Sequence, residues 1–305
     1  MLLALRRLFG FATPATEDET EDRDWRSRKW VIEPARAGFA SRVEEIWRYR
    51  RILWFFATQR VKDRYEGMTL GPFWLLARPL MPIVVGTLVF GGLLAVPSDG
   101  VPYFLFFLAG TSCWRIFERS MQWVTRSLEQ SRALIKKVYF PRLIAPIASV
   151  APALTEFVVL ATLLLLSTIF YWFKDDVWYL KWGPGMLAAV AAAILSVFFA
   201  IGIGLFTSVM QVRHRDVRYS IRYVTQFWSY ATPVIYPMSQ IPDNYRFLVY
   251  INPMAPVVEM YKWGMLGVGE FPGKPLICSL VVMTTVFIAG VVFFNRSEAA
   301  SVDKL

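Results

Sequence analysis

The chain alternates long apolar runs with short connectors that carry most of its charge. A run of about 18 or more apolar residues is long enough to cross a lipid bilayer as a helix. The pattern predicts an all-α integral membrane protein with six transmembrane helices, at about 72–96, 103–124, 143–173, 184–210, 223–238 and 276–294. The fifth run is short, because its roughly 24 Å as a helix falls below the roughly 30 Å of the hydrocarbon core.

A basic and aromatic segment precedes the first run. In residues 42–65, apolar positions recur at helical spacing, and seven Lys or Arg residues supply a basic face. This pattern is typical of an amphipathic helix in the membrane interface, with an ordinary surface helix as the alternative. The expected organisation is a flexible cytoplasmic tail (1–40), an interfacial helix (41–66), a membrane domain (67–295) and a second cytoplasmic tail (296–305).

The distribution of Lys and Arg predicts the orientation. Residues 1–70 contain 14 of them, and the connectors 126–142 and 213–222 contain 5 and 4, whereas the turn 97–102 contains none. Cytoplasmic segments of membrane proteins are enriched in these residues. We therefore expect a multi-pass protein of the cytoplasmic (inner) membrane with both termini in the cytoplasm. The same distribution accounts for the net charge of +10, so no nucleic-acid partner is expected.

The segment 239–274 is neither a simple loop nor an apolar span. It places Pro242, Asn252-Pro253 and Pro256 among apolar and aromatic residues. Irregular backbone is tolerated at membrane depth only beside protein or a water-filled cavity. We expect short re-entrant helices between spans five and six, including one within 251–267, which form an external gate with the short fifth span. An ordinary amphipathic extracellular loop is the alternative.

The sequence offers little material for catalysis or metal binding. One histidine and two cysteines are too few for a His/Cys metal cluster, and no phosphate-binding loop is found. The chain is therefore not expected to be an enzyme, and its energy should come from elsewhere. Glu156 lies among apolar residues deep in the third run. An ionisable residue there either serves transport or pairs structurally with an arginine.

Several motifs occur in a fixed order: YEGMTLGPFW at 65–74, SRALIKKVYFPR at 131–142, RDVRY at 215–219, ATPVIYP at 231–237 and NPM at 252–254. Together they resemble the polysaccharide-exporting permeases of the ABC-2 type, which handle O-antigen, capsular polysaccharide or teichoic acid. The resemblance extends from about Glu45 to the C-terminus. It implies a homodimer with two copies of a separate ATPase that binds ATP and Mg²⁺, so that this chain itself holds no cofactor.

The implied substrate is a long polysaccharide, usually lipid-linked, and membrane lipid is a further expected contact. Two alternatives stay open: an ABC-2 exporter of a small lipid or drug, and a non-transport membrane subunit of a cell-wall glycan pathway. The second would need a catalytic carboxylate pair in a sizeable cytoplasmic domain, and no connector is large enough to form one.

The resemblance also implies a coupling helix that docks on the ATPase, with the apolar pair Tyr139 and Phe140 filling a pocket there. The alternative is that the basic residues of this connector only fix topology. The expected coupling residues are Leu134, Ile135, Lys136, Lys137, Val138, Tyr139, Phe140, Pro141, Arg142, Arg215 and Asp216.

Two further sets are candidates for substrate contact. Aromatic rings can stack on a moving glycan, although each could equally be an interfacial anchor or a packing residue: Phe73, Trp74, Trp114, Phe227, Trp228, Tyr230 and Tyr236. Arg115, Arg119 and Arg126 share one helix face with Gln122, where the family more often has uncharged polar residues. They could bind a lipid-linked diphosphate, snorkel towards the interface, or pair with Glu118 and Glu156.

Overall fold

The computed structural model describes residues 44, 46–66, 71–135, 140–214 and 216–302. Within these residues the regular elements are helical. Predictions about the tail 1–40, most of 41–45, residues 67–70, 136–139, Arg215 and 303–305 lie outside the described residues. We number the helices α1 (Arg50–Tyr65), α2 (Gly71–Gly86), α3 (Tyr103–Thr125), α4 (Ser127–Ile135), α5 (Ile144–Ala148), α6 (Ala151–Asp175), α7 (Pro184–Arg213), α8 (Val217–Tyr230), α9 (Asp243–Tyr250), α10 (Met254–Leu266) and α11 (Gly273–Val302).

Four helical segments of the described chain are long and apolar enough to cross a membrane. They are Phe73–Leu93, Ile144–Asp175, Pro184–Arg213 and Gly273–Ser297, and they correspond to the first, third, fourth and sixth predicted spans. The first combines α2 with a π-helical continuation, Thr87–Leu93. Pro79 and Pro82 lie inside α2, where each lacks the amide proton that a regular helix needs.

Helix α3 occupies the centre of the bundle, in contact with α6, α7 and α10. Its core residues include Phe106, Phe117 and Met121, all nearly inaccessible. Close packing depends on Gly110, because a Cβ there would lie 2.8 Å from the carbonyl oxygen of Val234. The position of α3 matters for function because the predicted arginine stripe lies on this helix.

The third predicted span is interrupted, so a single helix over 143–173 is wrong in detail. The short helix α5 ends at Ala148, and α6 begins at Ala151. Pro152 explains the break, since it has no amide proton to donate to the carbonyl four residues earlier, that of Ala148. The break places Glu156 in the second turn of a new helix.

The fifth predicted span, 223–238, also needs correction. Helix α8 begins earlier, at Val217, and ends at Tyr230. Residues 231–236 form turns, as expected where Pro233 and Pro237 cannot continue a hydrogen-bonded helix. A short helix, α10, lies within 251–267 as expected, and most of its side chains are buried against the rest of the chain. Its role as a gate stays a prediction.

The last helix is longer than predicted. Helix α11 continues beyond residue 294 to Val302, so most of the expected tail 296–305 is helical. Close contact between α11 and α7 occurs at Gly290, where a Cβ would lie 2.3 Å from the carbonyl oxygen of Gly202. Small residues at such positions let two membrane helices approach closely.

Candidate functional site

Glu156 lies at the centre of a buried ion-pair cluster. Its side chain is 4% exposed, and both carboxylate oxygens are used: Arg64 Nη2 lies 3.0 Å from Oε2, and Arg115 Nη1 lies 3.1 Å from Oε1. Arg119 Nε lies 3.5 Å from Oε1, close enough for an ion pair but without a hydrogen bond. Arg64 belongs to α1, Arg115 and Arg119 to α3, and Glu156 to α6. One carboxylate therefore links three helices.

This cluster supports structural pairing among the roles that the sequence left open for Glu156 and the arginine stripe, and their roles in transport stay predictions. Arg115 and Arg119 are paired with Glu156 and do not form an open row of cations. Glu118, the other candidate partner, instead accepts a hydrogen bond from Gln122 Nε2 at 3.1 Å. The cluster still contains three guanidinium groups for one carboxylate, so it carries an excess of positive charge.

Arg126, the third arginine of the stripe, lies apart from the cluster at the residue that follows α3. Burial lowers the pKa of its guanidinium, and the charge of Arg218 lowers it further. The structure thus separates the stripe into a paired part and an isolated part. Contact of any of the three with a diphosphate stays a prediction.

A polar cavity of about 90 Å³ adjoins the cluster on the side of α2. Arg78 of α2 contributes a guanidinium that lies 6.0 Å from the centroid of the Trp74 ring, and no described carboxylate lies within ion-pair distance of it. The lining residues are Arg64, Trp74, Leu75, Arg78, Pro79, Arg119 and Glu156.

Helix α1 is attached to the connector that was expected to couple to an ATPase. Arg60 donates hydrogen bonds to Ser131 Oγ at 2.6 Å, to the carbonyl of Ser127 at 3.4 Å and to Gln130 Oε1. Burial lowers the pKa of the Arg60 guanidinium, which reflects its enclosure between the two helices. Movement of α4 would therefore be transmitted directly to α1.

The structure places Phe140 inside this chain, so its predicted insertion into an ATPase pocket is corrected. Its side chain is 5% exposed and packs on Phe56 of α1, with ring centroids 5.1 Å apart. Ile144, Ala145 and Ala148 complete this small apolar cluster. Phe140 thus fixes α1 to the start of the third predicted span.

The other coupling residues are only partly visible. Lys136, Lys137, Val138, Tyr139 and Arg215 lie outside the described residues. Leu134 and Ile135 are in the last turn of α4, Pro141 and Arg142 are half-buried, and Asp216 is exposed immediately before α8.

The aromatic candidates fall into two groups. Trp114 is 4% exposed and packs against Phe117 and Trp228, so its expected contact with a glycan is corrected to a packing role. The indole Nε1–H of Trp228 donates to Asn252 Oδ1 at 2.8 Å. The side chains of Phe73, Trp74, Phe227 and Tyr230 are exposed, whereas Tyr236 is half-buried.

Sequence reasoning assigned the basic residues of 42–65 to lipid headgroups and thereby missed two protein contacts. Phe56, Arg60 and Arg64 recur at intervals of four residues, which places them on one helix face. That face packs on the rest of the chain, while Trp54 and Phe55 are exposed. The spacing could have revealed this inward face.

A second buried charge was also missed, near the expected external gate. Lys262 of α10 is 3% exposed, and its Nζ donates to the carbonyl of Pro233 at 2.7 Å while lying 3.9 Å from the centroid of the Phe106 ring. Burial lowers the pKa of Lys262 and raises that of Glu259, and each charge partly offsets the effect on the other. Lys262 thus joins α10 to the turn after α8.

Comparisons with known proteins agree with the motifs. The sequence profile of the ABC-2 type transporter family matches residues 52–266. The O-antigen export system permease protein RfbA of Myxococcus xanthus is 25% identical over 84% of this chain and 96% of that protein. A protein of the same name from Klebsiella pneumoniae is 24% identical, over 77% and 88% of the two chains. The polysialic acid transport protein KpsM of Escherichia coli is 20% identical, over 79% and 92%. Since the profile covers more than half of the sequence, this chain belongs to the ABC-2 type transporter family.

Proposed function

We propose that this chain is the permease subunit of an ABC transporter that exports a long, lipid-linked polysaccharide across the cytoplasmic membrane. The observation that carries the proposal is the nearly complete coverage of relatives named for polysaccharide export, 96% of the Myxococcus protein and 92% of KpsM. O-antigen and polysialic acid differ in composition, so what these relatives share is a long glycan. This argues against a small lipid or drug as the substrate.

The proposed topology has six spans with both termini in the cytoplasm. Helix α3 supplies the second span, and α8 with the turn 231–237 supplies the fifth. Helix α1 lies along the cytoplasmic interface, an arrangement supported by the exposed Trp54 of α1 and the exposed Trp47 just before it, since tryptophan favours the interfacial region. Helices α9 and α10 form the external gate, with Lys262 fixing α10 to the turn after α8.

Two copies of the chain assemble with two copies of a separate ATPase subunit, which bind ATP and Mg²⁺. The connector 126–142 and the residues around Asp216 contact the ATPase. Support comes from the Arg60 contacts, because they give the connector a rigid attachment to α1. ATP binding closes the ATPases, the connectors transmit that motion, and the dimer opens a path for the glycan.

Exposed aromatic side chains line the proposed path. Along α8 they recur at i, i+4, i+8 and i+11, a spacing that places them on one face: Tyr219, Tyr223, Phe227 and Tyr230, all more than half exposed in the single chain. Phe73 and Trp74 are exposed on α2. Rings presented in a row can hold successive sugars without fixing one register, which suits a polymer that must keep moving.

The proposal is tested by deleting the gene in its host and measuring surface polysaccharide. We expect loss of the surface glycan and accumulation of its lipid-linked form inside the cell, with recovery when the wild-type gene is returned. A strain with a catalytically inactive partner ATPase serves as the matched control and should behave in the same way. Normal surface glycan in the deletion strain would contradict the proposal.

A further inference from the structure

The cavity beside Glu156 has the features of an anion site. We propose that it binds a phosphoryl group carried on a lipid, held by Arg64, Arg78 and Arg119. The inference rests on the proposed function only for the identity of that lipid as the carrier of the glycan. The chemistry of the site itself follows from the described residues.

The charge balance of the cavity favours an anion. Its wall contains three guanidinium groups and the single carboxylate of Glu156. That carboxylate is already shared by three arginines, one of which, Arg115, lies outside the cavity wall. Arg78 has no carboxylate within ion-pair distance among the described residues. The wall therefore carries an excess of positive charge, which a bound anion would offset.

The donors suit a phosphoryl group. Arg119 Nε is buried without a hydrogen bond, although every buried N–H group of this kind normally has an acceptor. Guanidinium groups bind phosphate oxygens through two parallel hydrogen bonds, which a carboxylate shared by three arginines cannot supply to each of them. The cavity volume of about 90 Å³ is several times the roughly 10–15 Å³ that one water needs. It therefore has room for one phosphoryl-sized group.

The apolar part of the wall indicates that the group is attached to lipid. Trp74, Leu75 and Pro79 of α2 close one side of the cavity, and the neighbouring Phe73 and Leu76 are exposed on a helix that is apolar enough to span the membrane. A hydrocarbon chain could leave the cavity along this surface. A free phosphate ion would gain nothing from it.

Binding is measured on the complete permease–ATPase complex in nanodiscs of zwitterionic lipid, with farnesyl diphosphate and inorganic diphosphate as probes. We expect saturable binding of farnesyl diphosphate, with weaker binding of inorganic diphosphate. Arg78→Gln should weaken the binding of farnesyl diphosphate roughly tenfold, since a hydrogen bond to a charged group is lost. Arg51→Gln is the matched control, because Arg51 is exposed on α1 and does not line the cavity.

Arg119→Lys is a second variant that keeps the positive charge beside Glu156 but removes the Nε donor, and it should also weaken binding.

Equal affinity of Arg78→Gln and Arg51→Gln would overturn the site. Tighter binding of inorganic diphosphate than of farnesyl diphosphate would overturn the attachment to lipid. Complete competition by phosphatidylglycerol in the nanodiscs would support a site for lipid-borne phosphoryl groups but would overturn the glycan carrier as its specific ligand. Surface glycan is measured in the same strains, and its normal export with unchanged binding would reject this site while leaving the proposed function intact.

Discussion

Glu156 joins α1, α3 and α6 through three arginines, and it lies in a segment that is long and apolar enough to cross a membrane. A lone arginine at membrane depth is expensive unless it faces water or a partner. The carboxylate reduces that cost for Arg64, Arg115 and Arg119 together, so removing it affects three charges and not one. The geometry makes Glu156 a structural centre first, and a part of the proposed phosphoryl site second.

Glu156→Gln should therefore destabilise the protein strongly. Breaking a buried ion pair by removing one partner costs about 3–5 kcal/mol, and here three guanidinium groups lose their counterion. We expect a clearly lower melting temperature in detergent and reduced yield of the folded permease. The measurement is thermal unfolding followed by size-exclusion chromatography.

Glu118→Gln is the matched control, because Glu118 lies on α3 between Arg115 and Arg119 in the sequence. It accepts a hydrogen bond from Gln122, but no described arginine lies within ion-pair distance of its carboxylate. It should melt close to wild type. Equal melting of the two variants would show that the arginines are stabilised by water or lipid and do not depend on Glu156.

The sequence identified Glu156 as unusual and named an arginine partner as one possibility. It could not identify Arg64, which is 92 residues away along the chain and belongs to a helix read as facing lipid. Spacing on one helix predicts which residues share a face, but it does not predict what that face contacts. For the same reason the sequence could not identify Arg78 as a residue of the cavity wall, because its place there depends on how α2 approaches α3.

At the scale of elements, α1 is attached both to the cytoplasmic connector and to the spans. Arg60 binds α4, Phe56 packs on Phe140, and Arg64 reaches Glu156. These contacts follow the inward face of α1 at intervals of one turn. A shift of α4 would therefore be transmitted through α1 to the ion-pair cluster.

Arg60→Gln should weaken this link without unfolding the protein. The guanidinium donors to Ser127 and Ser131 are lost, and each hydrogen bond to a charged group contributes about 1.5–3 kcal/mol. In the assembled transporter we expect the ATPase to be retained but its hydrolysis to respond less to lipid-linked substrate. Lys62→Gln, an exposed position two residues further along α1, is the control, and an identical response in both variants would argue against the link.

Phe140→Ala should act on folding before it acts on partner binding. Truncating a fully buried phenylalanine costs about 3–5 kcal/mol, and Phe140 contacts Phe56 and Ile144 in the described core. We expect a lower melting temperature of the permease purified without its ATPase. Phe55→Ala removes an exposed ring from the neighbouring position and should change stability little. Normal melting of Phe140→Ala with loss of the ATPase would restore the docking role.

The apolar motif around Phe140 illustrates why the sequence could not settle this point. A short run of apolar residues between basic ones looks the same whether it packs on its own chain or on a partner. In contrast, the ends of α5 and α8 follow from local chemistry, since Pro152 and Pro233 interrupt the hydrogen bonding of any helix. A proline does not by itself mark a helix end, however, because Pro79 and Pro82 lie inside α2.

At the scale of the whole molecule, the apolar runs predicted the all-helical architecture but not the place of each helix within it. The apolar runs predicted a span at 103–124, but α3 is not among the four segments that are long and apolar enough to cross, because it contains Arg115, Glu118 and Arg119. The structure resolves this conflict by burying α3 among α6, α7 and α10 and by pairing two of its arginines with Glu156. The most central helix is thus less apolar than the segments that qualify as spanning.

Whether α3 and α8 cross the membrane decides between six spans and four. Helix α3 has 23 residues, or roughly 35 Å, which is enough to cross. Helix α8 has only 14 residues, or roughly 21 Å, so its crossing relies on the turn 231–237. That turn packs on α3 where Val234 meets Gly110, as irregular backbone at membrane depth requires.

Single cysteines test this in a chain whose two native cysteines are replaced by serine, labelled in intact cells with a membrane-impermeant maleimide. Six spans with cytoplasmic termini predict labelling at Ser98→Cys and Asn244→Cys, and protection of Arg132→Cys and His214→Cys until the membrane is opened. Ser98 and Arg132 flank α3, whereas His214 and Asn244 flank α8 and its turn, so each helix is tested separately. If Ser98 and Arg132 label alike, α3 does not cross; if His214 and Asn244 label alike, α8 and its turn do not. If α8 and its turn do not cross, the exposed aromatic row on α8 cannot line a continuous path between the two sides of the membrane.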